Sequence, residues 1–177
     1  MKFQERDFPN FWTGCDVKIL LLALLITLPA TQARALDYSI VLRGWLEHAY
    51  FPEFDLEMDA KLDTGAKTSA IGAEILSDPD ATEGMVTFRL TNEEGEERTV
   101  EREIVRTVKI KKRGGGTESR IVVELELCLG IQRLKSEFSL SDRSNFNYPV
   151  LIGRRALSEA HIAVRADEEY VDDPDCD

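Results

Sequence analysis

The residues best suited to chemistry lie in segment 60–70, which reads AKLDTGAKTSA. An alternating apolar stretch leads to Asp63, in a turn that contains Gly65 and is flanked by the hydroxyl residues Thr64, Thr68 and Ser69. Backbone N–H groups and hydroxyl groups in such a turn can hold an ionised carboxylate. A carboxylate held in this way is suited to general acid–base catalysis, although Asp-x-Gly on its own is also an ordinary turn sequence.

A second segment, at 150–154, strengthens the interpretation of segment 60–70 as a functional site. Residues 150–154 read VLIGR, an apolar strand pattern that ends in Gly153 and is followed by a short helical pattern. The two segments are separated by a series of strand patterns. Together they favour a functional site over a chance turn.

Other kinds of catalytic centre have little support in the sequence. The two histidines, His48 and His161, have no second His or Cys at the spacing of a zinc site, and no HExxH pattern is present. They also form no Ser-His-Asp or Cys-His arrangement. The glycine run at 114–116 lacks the lysine of the phosphate-binding GxxxxGK[ST] pattern. We therefore predict no metal, no ATP and no other cofactor.

Short strands must position these residues. Apolar residues at roughly alternate positions, bounded by turn signals, occur in segments 39–46, 56–62, 85–90, 99–111, 121–129, 137–140 and 148–153. Only segment 154–160 has the pattern of a short helix. Many strands with one terminal helix predict a mainly β domain of closed or sandwich-like form.

Through LDTGA and the later VLIGR, the sequence resembles the retropepsin fold of retroviral-type aspartic proteases. It is more closely similar to bacterial retropepsin-like proteins that are often labelled ATP-dependent zinc proteases. Their pattern is approximated by GWLE at 44–47, AKLDTGAKTSAI at 60–71, SRIVVELEL at 119–127 and YPVLIGRRAL at 148–157. The resemblance covers about residues 43–165 and implies a closed, β-barrel-like retropepsin (acid protease) fold with one short C-terminal helix.

The resemblance also implies roles for single residues. Asp63 is the expected catalytic aspartate, and Thr64 braces the two halves of a dimeric site. Gly65 and Ala66 lie along the substrate backbone, and Gly153 packs beneath the Asp63 loop. One chain holds one such motif, so a working site requires a homodimer in which two Asp63 carboxylates share a water and a proton. The implied activity is that of a metal-independent endopeptidase on peptide or protein substrates.

The sequence departs from the retroviral pattern at Lys67. Retroviral enzymes carry an acidic residue at that position, and it pairs with the arginine that corresponds to Arg154. Arg154 must therefore have another partner, and we expect it to be structural. Lys67 is either a solvated loop residue or a partner for an acidic group or a substrate carboxylate.

A flap over the cleft would exclude water and strengthen its electrostatics. The candidate tip is Gly114, Gly115 and Gly116, because glycines suit a tight turn. The turn at 92–97 is the alternative. An ordinary surface hairpin remains equally compatible with the pattern.

The N-terminus carries an addressing signal. Segment 19–28 (ILLLALLITL) follows Lys18 and precedes ARA at 33–35, the small-x-small pattern of a signal-peptidase site. The run is too short to span a bilayer comfortably, which takes about 20 residues. We predict a signal peptide at 1–35 and a periplasmic or secreted protein. The alternative is an uncleaved membrane anchor.

Net charge and cysteine content limit the possible partners and the organisation of the rest of the chain. With 22 Lys+Arg against 33 Asp+Glu, the net charge of -11 argues against nucleic acid as a partner. We predict one retropepsin-like domain at 36–166 and an acidic disordered tail at 167–177. Cys128 and Cys176 either pair in an oxidising compartment or leave Cys128 as a buried free thiol.

Three functions follow in order of preference. The first is an exported aspartic endopeptidase. The second is a catalytically weak β domain that binds a peptide along an exposed strand. The third is a hydrolase that trims an unusual amide-linked product, because members of the resembled family are often associated with ATP-grasp glutamate ligases.

Overall fold

The computed structural model describes residues 39–77, 84–111 and 115–176. The predicted signal peptide at 1–35 and the flap candidate Gly114 lie outside these residues. Within these described residues, no helix is long and apolar enough to cross a bilayer.

Strands dominate the described part of the chain. In chain order the elements are β1 (Val41–Phe51), β2 (Leu56–Asp63), β3 (Ser69–Gly72), β4 (Glu74–Ile75), β5 (Met85–Thr91), β6 (Glu97–Glu103), β7 (Arg106–Lys111), β8 (Thr117–Leu129), β9 (Gln132–Ser141), β10 (Val150–Gly153), α1 (Arg154–Glu159) and β11 (Ile162–Glu169). The predicted mainly β class with one short helix after the VLIG strand is confirmed.

The strands form two sheets. The larger has the order β11-β1-β2-β10-β3-β9-β8-β7, and the smaller is β4-β5-β6. β1 also pairs with β8 through Ala49 with Leu129 and Tyr50 with Cys128, so six strands are joined in a ring. The expected closed barrel is matched in part, as a ring whose seam consists of two residue pairs.

β2 shows why the core forms. Its alternate residues Leu56, Met58, Ala60 and Leu62 are buried, while the residues between them face outward and end in Asp63. This period of two is the direct result of strand geometry. Burial of each large side chain stabilises the fold by about 1.5–3 kcal/mol and fixes the register of β2.

β10 brings the two sequence segments together. It runs parallel to β2, with Gly153 opposite Asp63, and antiparallel to β3, with Val150 opposite Ile71. Parallel neighbours end at the same edge of a sheet. The VLIG strand and the strand that carries Asp63 therefore finish side by side.

The C-terminal segment, residues 170–176, differs from the disordered tail predicted at 167–177. β11 continues through Glu169, in parallel with β1, and the chain beyond it stays attached to the sheet. The N–H of Val171 donates to the carboxylate of Glu47 at 3.0 Å, and that carboxylate is fully buried. The ordered domain thus passes the predicted boundary at 166.

Two further contacts hold this segment. The guanidinium of Arg43, which is buried, donates to Asp172 at 2.5 Å. Cys176 forms a disulfide with the buried Cys128, with a Cα–Cα distance of 6.0 Å. The acidic composition of these residues indicated a solvated tail. The contacts could not be predicted, because the partners lie far away in sequence, on β1 and β8.

Candidate functional site

Asp63 is the last residue of β2, and the turn that follows holds its carboxylate. Oδ1 accepts N–H groups from Gly65 at 2.9 Å and Ala66 at 3.1 Å. The Asp63 side chain is 27% exposed, so it remains accessible from solvent. The turn thus holds the carboxylate through backbone N–H groups.

The hydroxyl residues are used differently from the prediction. Ser69 is buried, and its Oγ accepts the N–H of Gly153 at 3.1 Å instead of supporting the carboxylate. Thr64 is exposed at the start of the turn. Among the described residues, the hydrogen-bond donors to Asp63 are therefore backbone N–H groups, and Ser69 fastens the turn to β10.

The start of α1 clamps the Asp63 loop from its other side. The N–H of Arg154 donates to the carbonyl of Ala66 at 2.9 Å, and the N–H of Arg155 donates to that of Lys67 at 3.3 Å. A Cβ on Gly153 would lie 2.5 Å from the carbonyl carbon of Thr68. Only glycine permits this approach, so Gly153 sets the position of the loop.

Gly65 has a second steric role. A Cβ at this position would lie 3.1 Å from Oδ1 of Asp63, closer than most side-chain contacts. Gly65 is exposed and Ala66 is half-buried, so the backbone of the turn faces outward beside the carboxylate. An extended ligand could approach this backbone closely.

Basic side chains lie in and beside the Asp63 turn, although the chain as a whole is acidic. The Nζ of Lys61 lies 3.7 Å from Oδ2 of Asp63. The guanidinium of Arg154 donates to the carbonyl of Gly65 at 3.4 Å, so its partner is a carbonyl group where retroviral enzymes use a carboxylate. Lys67 is exposed in the same loop.

Arg143 adds a cation from the connection between β9 and β10. The pKa of Arg143 is lowered, chiefly by burial and further by the charge of Arg120, while the charge of Asp63 acts in the opposite sense. Its Nε donates to the carbonyl of Tyr148 at 3.1 Å, and its guanidinium carbon lies 4.5 Å from the ring centre of Phe146.

Sequence reasoning missed Lys61 and Arg143 as site residues. Lys61 had a usable signal, because residues two apart on a strand share a face and Asp63 is at that spacing. Arg143 had none, since its approach to Asp63 depends on how the β9–β10 connection returns to the sheet.

The two flap candidates have different surroundings. Gly115 and Gly116, at the β7–β8 hairpin, have φ values of 90° and 85°, and a Cβ on either would meet no atom within 4 Å. The alternative turn is docked on the start of β2, where Glu93 accepts the N–H of Asp59 at 3.0 Å. Gly115 and Gly116 thus have open space around them, whereas the β5–β6 turn is held against β2.

Three surface cavities of the single chain have linings that do not include Asp63. Their volumes are about 600, 420 and 220 Å³. The largest is bordered by Arg143 and Phe146, and the smallest by Thr68 and Arg155. The Asp63 side chain, 27% exposed, is therefore described by its place at the surface of the single chain and not by any of these cavities.

No metal-binding cluster occurs in the part of the chain that the structure describes. Within residues 39–77, 84–111 and 115–176, no three His, Cys, Asp or Glu side chains are grouped as ligands.

Known proteins are similar to this chain in sequence and in fold. A curated relative from Desulfotalea psychrophila, named "Probable alpha-L-glutamate ligase", is 31% identical over 128 residues, which are 70% of this chain and 28% of that protein. The chain thus spans little more than a quarter of the length of that relative. A crystal structure of a Legionella pneumophila protein of unknown function (DUF785) is 28% identical, with a TM-score of 0.62 over 75% of this chain and 98% of that one.

The family model described as "Retropepsin-like aspartic endopeptidase RimB" matches residues 42–175. This range includes the Asp63 loop, the β10–α1 clamp and nearly all of the C-terminal segment. The chain belongs to the RimB-like family of retropepsin-like aspartic endopeptidases.

Proposed function

We propose that this protein is an exported aspartic endopeptidase that hydrolyses peptide bonds with a water shared between the Asp63 carboxylates of two subunits. The observation that carries the proposal is the setting of Asp63. One carboxylate oxygen is fixed by two backbone N–H groups, and the side chain stays partly exposed at the end of β2. Membership of a family of aspartic endopeptidases supports this reading.

A homodimer follows from the chemistry of the site. Hydrolysis of an amide requires a base for the water and an acid for the carbonyl oxygen, and one carboxylate cannot serve as both at once. The sequence has one Asp-Thr-Gly motif, and Asp63 is partly exposed in the single chain. A second copy related by a two-fold axis would supply the acid and cover the Asp63 side chain.

The proposed reaction conserves protons. The ionised Asp63 accepts a proton from water as the water oxygen bonds to the carbonyl carbon, and the carbonyl oxygen accepts the proton of the partner subunit's Asp63. The resulting diol then collapses. The C–N bond breaks as the nitrogen accepts the proton from the first Asp63 and a diol hydroxyl returns one to the partner carboxylate. The site regains its original state with one shared proton.

The neighbouring residues take supporting roles in this proposal. Exposed Thr64 braces the two subunits, Gly65 and Ala66 bind the substrate backbone, and Gly153 fixes the loop. The β7–β8 turn, with Gly114, Gly115 and Gly116, is the proposed flap. Gly115 and Gly116 have positive φ, a conformation that glycine adopts without steric strain.

The Cys128–Cys176 disulfide supports export, because such bonds persist in oxidising compartments. We propose that the protein acts in the periplasm or outside the cell, with residues 1–35 as its signal. A retained signal would instead leave it tethered to the membrane surface.

Peptide-library digestion tests the main proposal. Full-length protein, purified with its disulfide intact, is incubated with a diverse peptide library, and new termini are identified by mass spectrometry. We expect cleavage by the native protein and none by Asp63→Asn. Glu57→Gln, on the same outward face of β2, is the matched control and should retain activity. Cleavage that survives in Asp63→Asn would exclude Asp63 as the catalytic residue, and binding without cleavage would favour the peptide-binding alternative.

A second candidate is trimming of an acidic amide-linked chain. Two observations favour it: the relative named as an α-L-glutamate ligase, and the basic groups of Lys61, Lys67 and Arg154 around Asp63. These cations would attract glutamyl carboxylates. The test compares kcat/KM for an oligoglutamyl peptide and a neutral peptide of equal length. A preference for the first that weakens at high salt supports trimming, and equal values oppose it.

A further inference from the structure

Lys61 stands apart from the other cations near the site because it lies on the same strand face as Asp63. The outward face of β2 carries Glu57, Asp59, Lys61 and Asp63 at alternate positions, so Lys61 is the one basic residue among them. Its Nζ lies 3.7 Å from Oδ2 of Asp63. The strand itself, rather than a mobile loop, sets this proximity.

The two oxygens of Asp63 have different neighbours. Oδ1 accepts both N–H groups of the turn, whereas Oδ2 faces the Lys61 ammonium. The residues directly opposite Lys61 are Leu46 on β1 and Leu151 on β10, and neither can compete for its charge. The Lys61 side chain is 43% exposed, so it is free to adjust to a bound molecule.

We propose that Lys61 is a positioning residue that places a positive charge beside the free oxygen of Asp63 and thereby sets the pH range of the two-aspartate site. This inference rests on the proposed function. A pair of carboxylates that shares one proton is active only while that proton remains. A cation beside each carboxylate stabilises the fully ionised pair, so the proton is lost at lower pH.

The sign of the effect follows directly. With Lys61 present, activity ends at a lower pH on the alkaline side, and without it activity extends to higher pH. The two-fold axis would bring two copies of Lys61 to one site. Other charges near Asp63 are Arg154 from α1, which donates to the carbonyl of Gly65, and Arg143 from the β9–β10 connection, and both are unchanged when Lys61 is substituted. Lys67 is exposed in the Asp63 loop, with its charge in solvent.

The first test is the pH profile of kcat/KM for Lys61→Met and Lys61→Arg in the full-length protein. We expect the alkaline limb of Lys61→Met to move upward by about 0.5 to 1 pH unit, and that of Lys61→Arg to stay in place. Lys67→Met removes the same charge from an exposed loop position and is the matched control, with little shift expected. A Lys61→Met limb that coincides with the native one overturns the proposal.

A second measurement does not depend on activity. Carbon-13 NMR of the Asp63 carboxyl, assigned by its disappearance in Asp63→Asn, follows its titration in the native protein and in both methionine variants. The pH of half-titration should rise in Lys61→Met and stay in place in Lys67→Met. An equal response in the two variants would show that Lys61 has no special effect on Asp63.

The two measurements separate this inference from the proposed function. If no peptide is cleaved by any variant, the endopeptidase proposal fails, while the NMR comparison still decides whether Lys61 controls the charge of Asp63. If cleavage depends on Asp63 but neither the limb nor the titration moves, the inference about Lys61 fails and the endopeptidase proposal stands.

Discussion

The Asp63 loop and the C-terminal segment 170–176 are both irregular, and both are fastened to the same sheet, but by different chemistry. The loop is held by backbone hydrogen bonds to the start of α1 and by the close approach of Gly153 to Thr68. The C-terminal segment is held largely through side chains, including Glu47 on β1 and the disulfide to Cys128. Close approach of two backbone segments is possible only with a small residue at a particular position, and this requirement produces a recognisable sequence motif. Contacts between side chains produce no such motif here, because the contacting residues are scattered along the chain.

The comparison predicts that substitutions in the loop affect activity beyond their effect on stability, whereas those in the C-terminal segment affect stability alone. Gly153→Ala should produce the largest effect, because its new Cβ would lie 2.5 Å from a backbone carbon of Thr68. We expect a loss of about 3 kcal/mol in the free energy of unfolding, measured by urea denaturation, together with loss of peptide cleavage. Gly72→Ala is the control, because its Cβ would meet no atom closer than 3.4 Å. Equal losses in both variants would remove the special role of Gly153.

Removal of the disulfide tests the other region. Cys176→Ser opens a link between residues 48 apart in sequence, and we expect a loss of about 2–4 kcal/mol in unfolding free energy. Cleavage measured well below the melting temperature should remain near the native rate, since the disulfide does not touch the Asp63 loop. Dithiothreitol should lower the melting temperature of the native protein and leave that of Cys176→Ser unchanged. A selective loss of activity in Cys176→Ser would contradict the separation of the two regions.

Glu47→Gln probes the buried acceptor of the C-terminal segment. The Glu47 carboxylate accepts N–H groups from Gly44 at 2.5 Å and Val171 at 3.0 Å, one on each oxygen. A glutamine keeps one acceptor and places a donor against the other N–H, which should cost about 1–3 kcal/mol in unfolding free energy. Glu57→Gln, on an exposed part of β2, should change it little. Hydrogen exchange at Val171 should quicken in Glu47→Gln, and unchanged protection there would count against this account.

Tyr170 gives the smallest expected effect and a pH dependence. Its hydroxyl donates to Asp59 at 2.9 Å, and burial, followed by this hydrogen bond, raises the pKa of Tyr170. A raised pKa means that the neutral phenol stabilises the folded state at all pH values below the ordinary value of about 10, and that this contribution is lost as pH rises further. Tyr170→Phe should therefore cost about 0.5–1 kcal/mol at neutral pH. Its urea midpoint should fall less steeply than the native one above pH 10, and parallel curves would argue against the linkage.

The sequence predicts the local features of this molecule well. The alternation in β2, the apolar run of β8 and the Gly-terminated β10 each appear in the structure near their expected positions. The Asp63 turn was also foreseen, because its conformation depends on residues within a few positions. Its Oδ1 contacts with Gly65 and Ala66 are of that local kind.

Features that depend on distant partners were not predicted. The single strand expected over 99–111 is two strands, β6 and β7, in different sheets. The break occurs where the N–H of Ile104 donates to Gly84 and that of Val105 donates to Val122, so the chain passes from one sheet to the other. β11 was missed because its exposed acidic residues conceal a strand that pairs with β1 through its backbone.

The pairing of β1 has a consequence for how the molecule is made. This first strand pairs with β2 nearby in sequence, with β8 at the ring seam and with β11 at the far end of the chain. Contacts between residues so far apart in sequence close slowly, because the intervening loop entropy must be lost first. β1 therefore cannot complete its pairing before β11 is available. Under the proposed export, this dependence on a late strand would help to keep the chain unfolded until it has crossed the membrane.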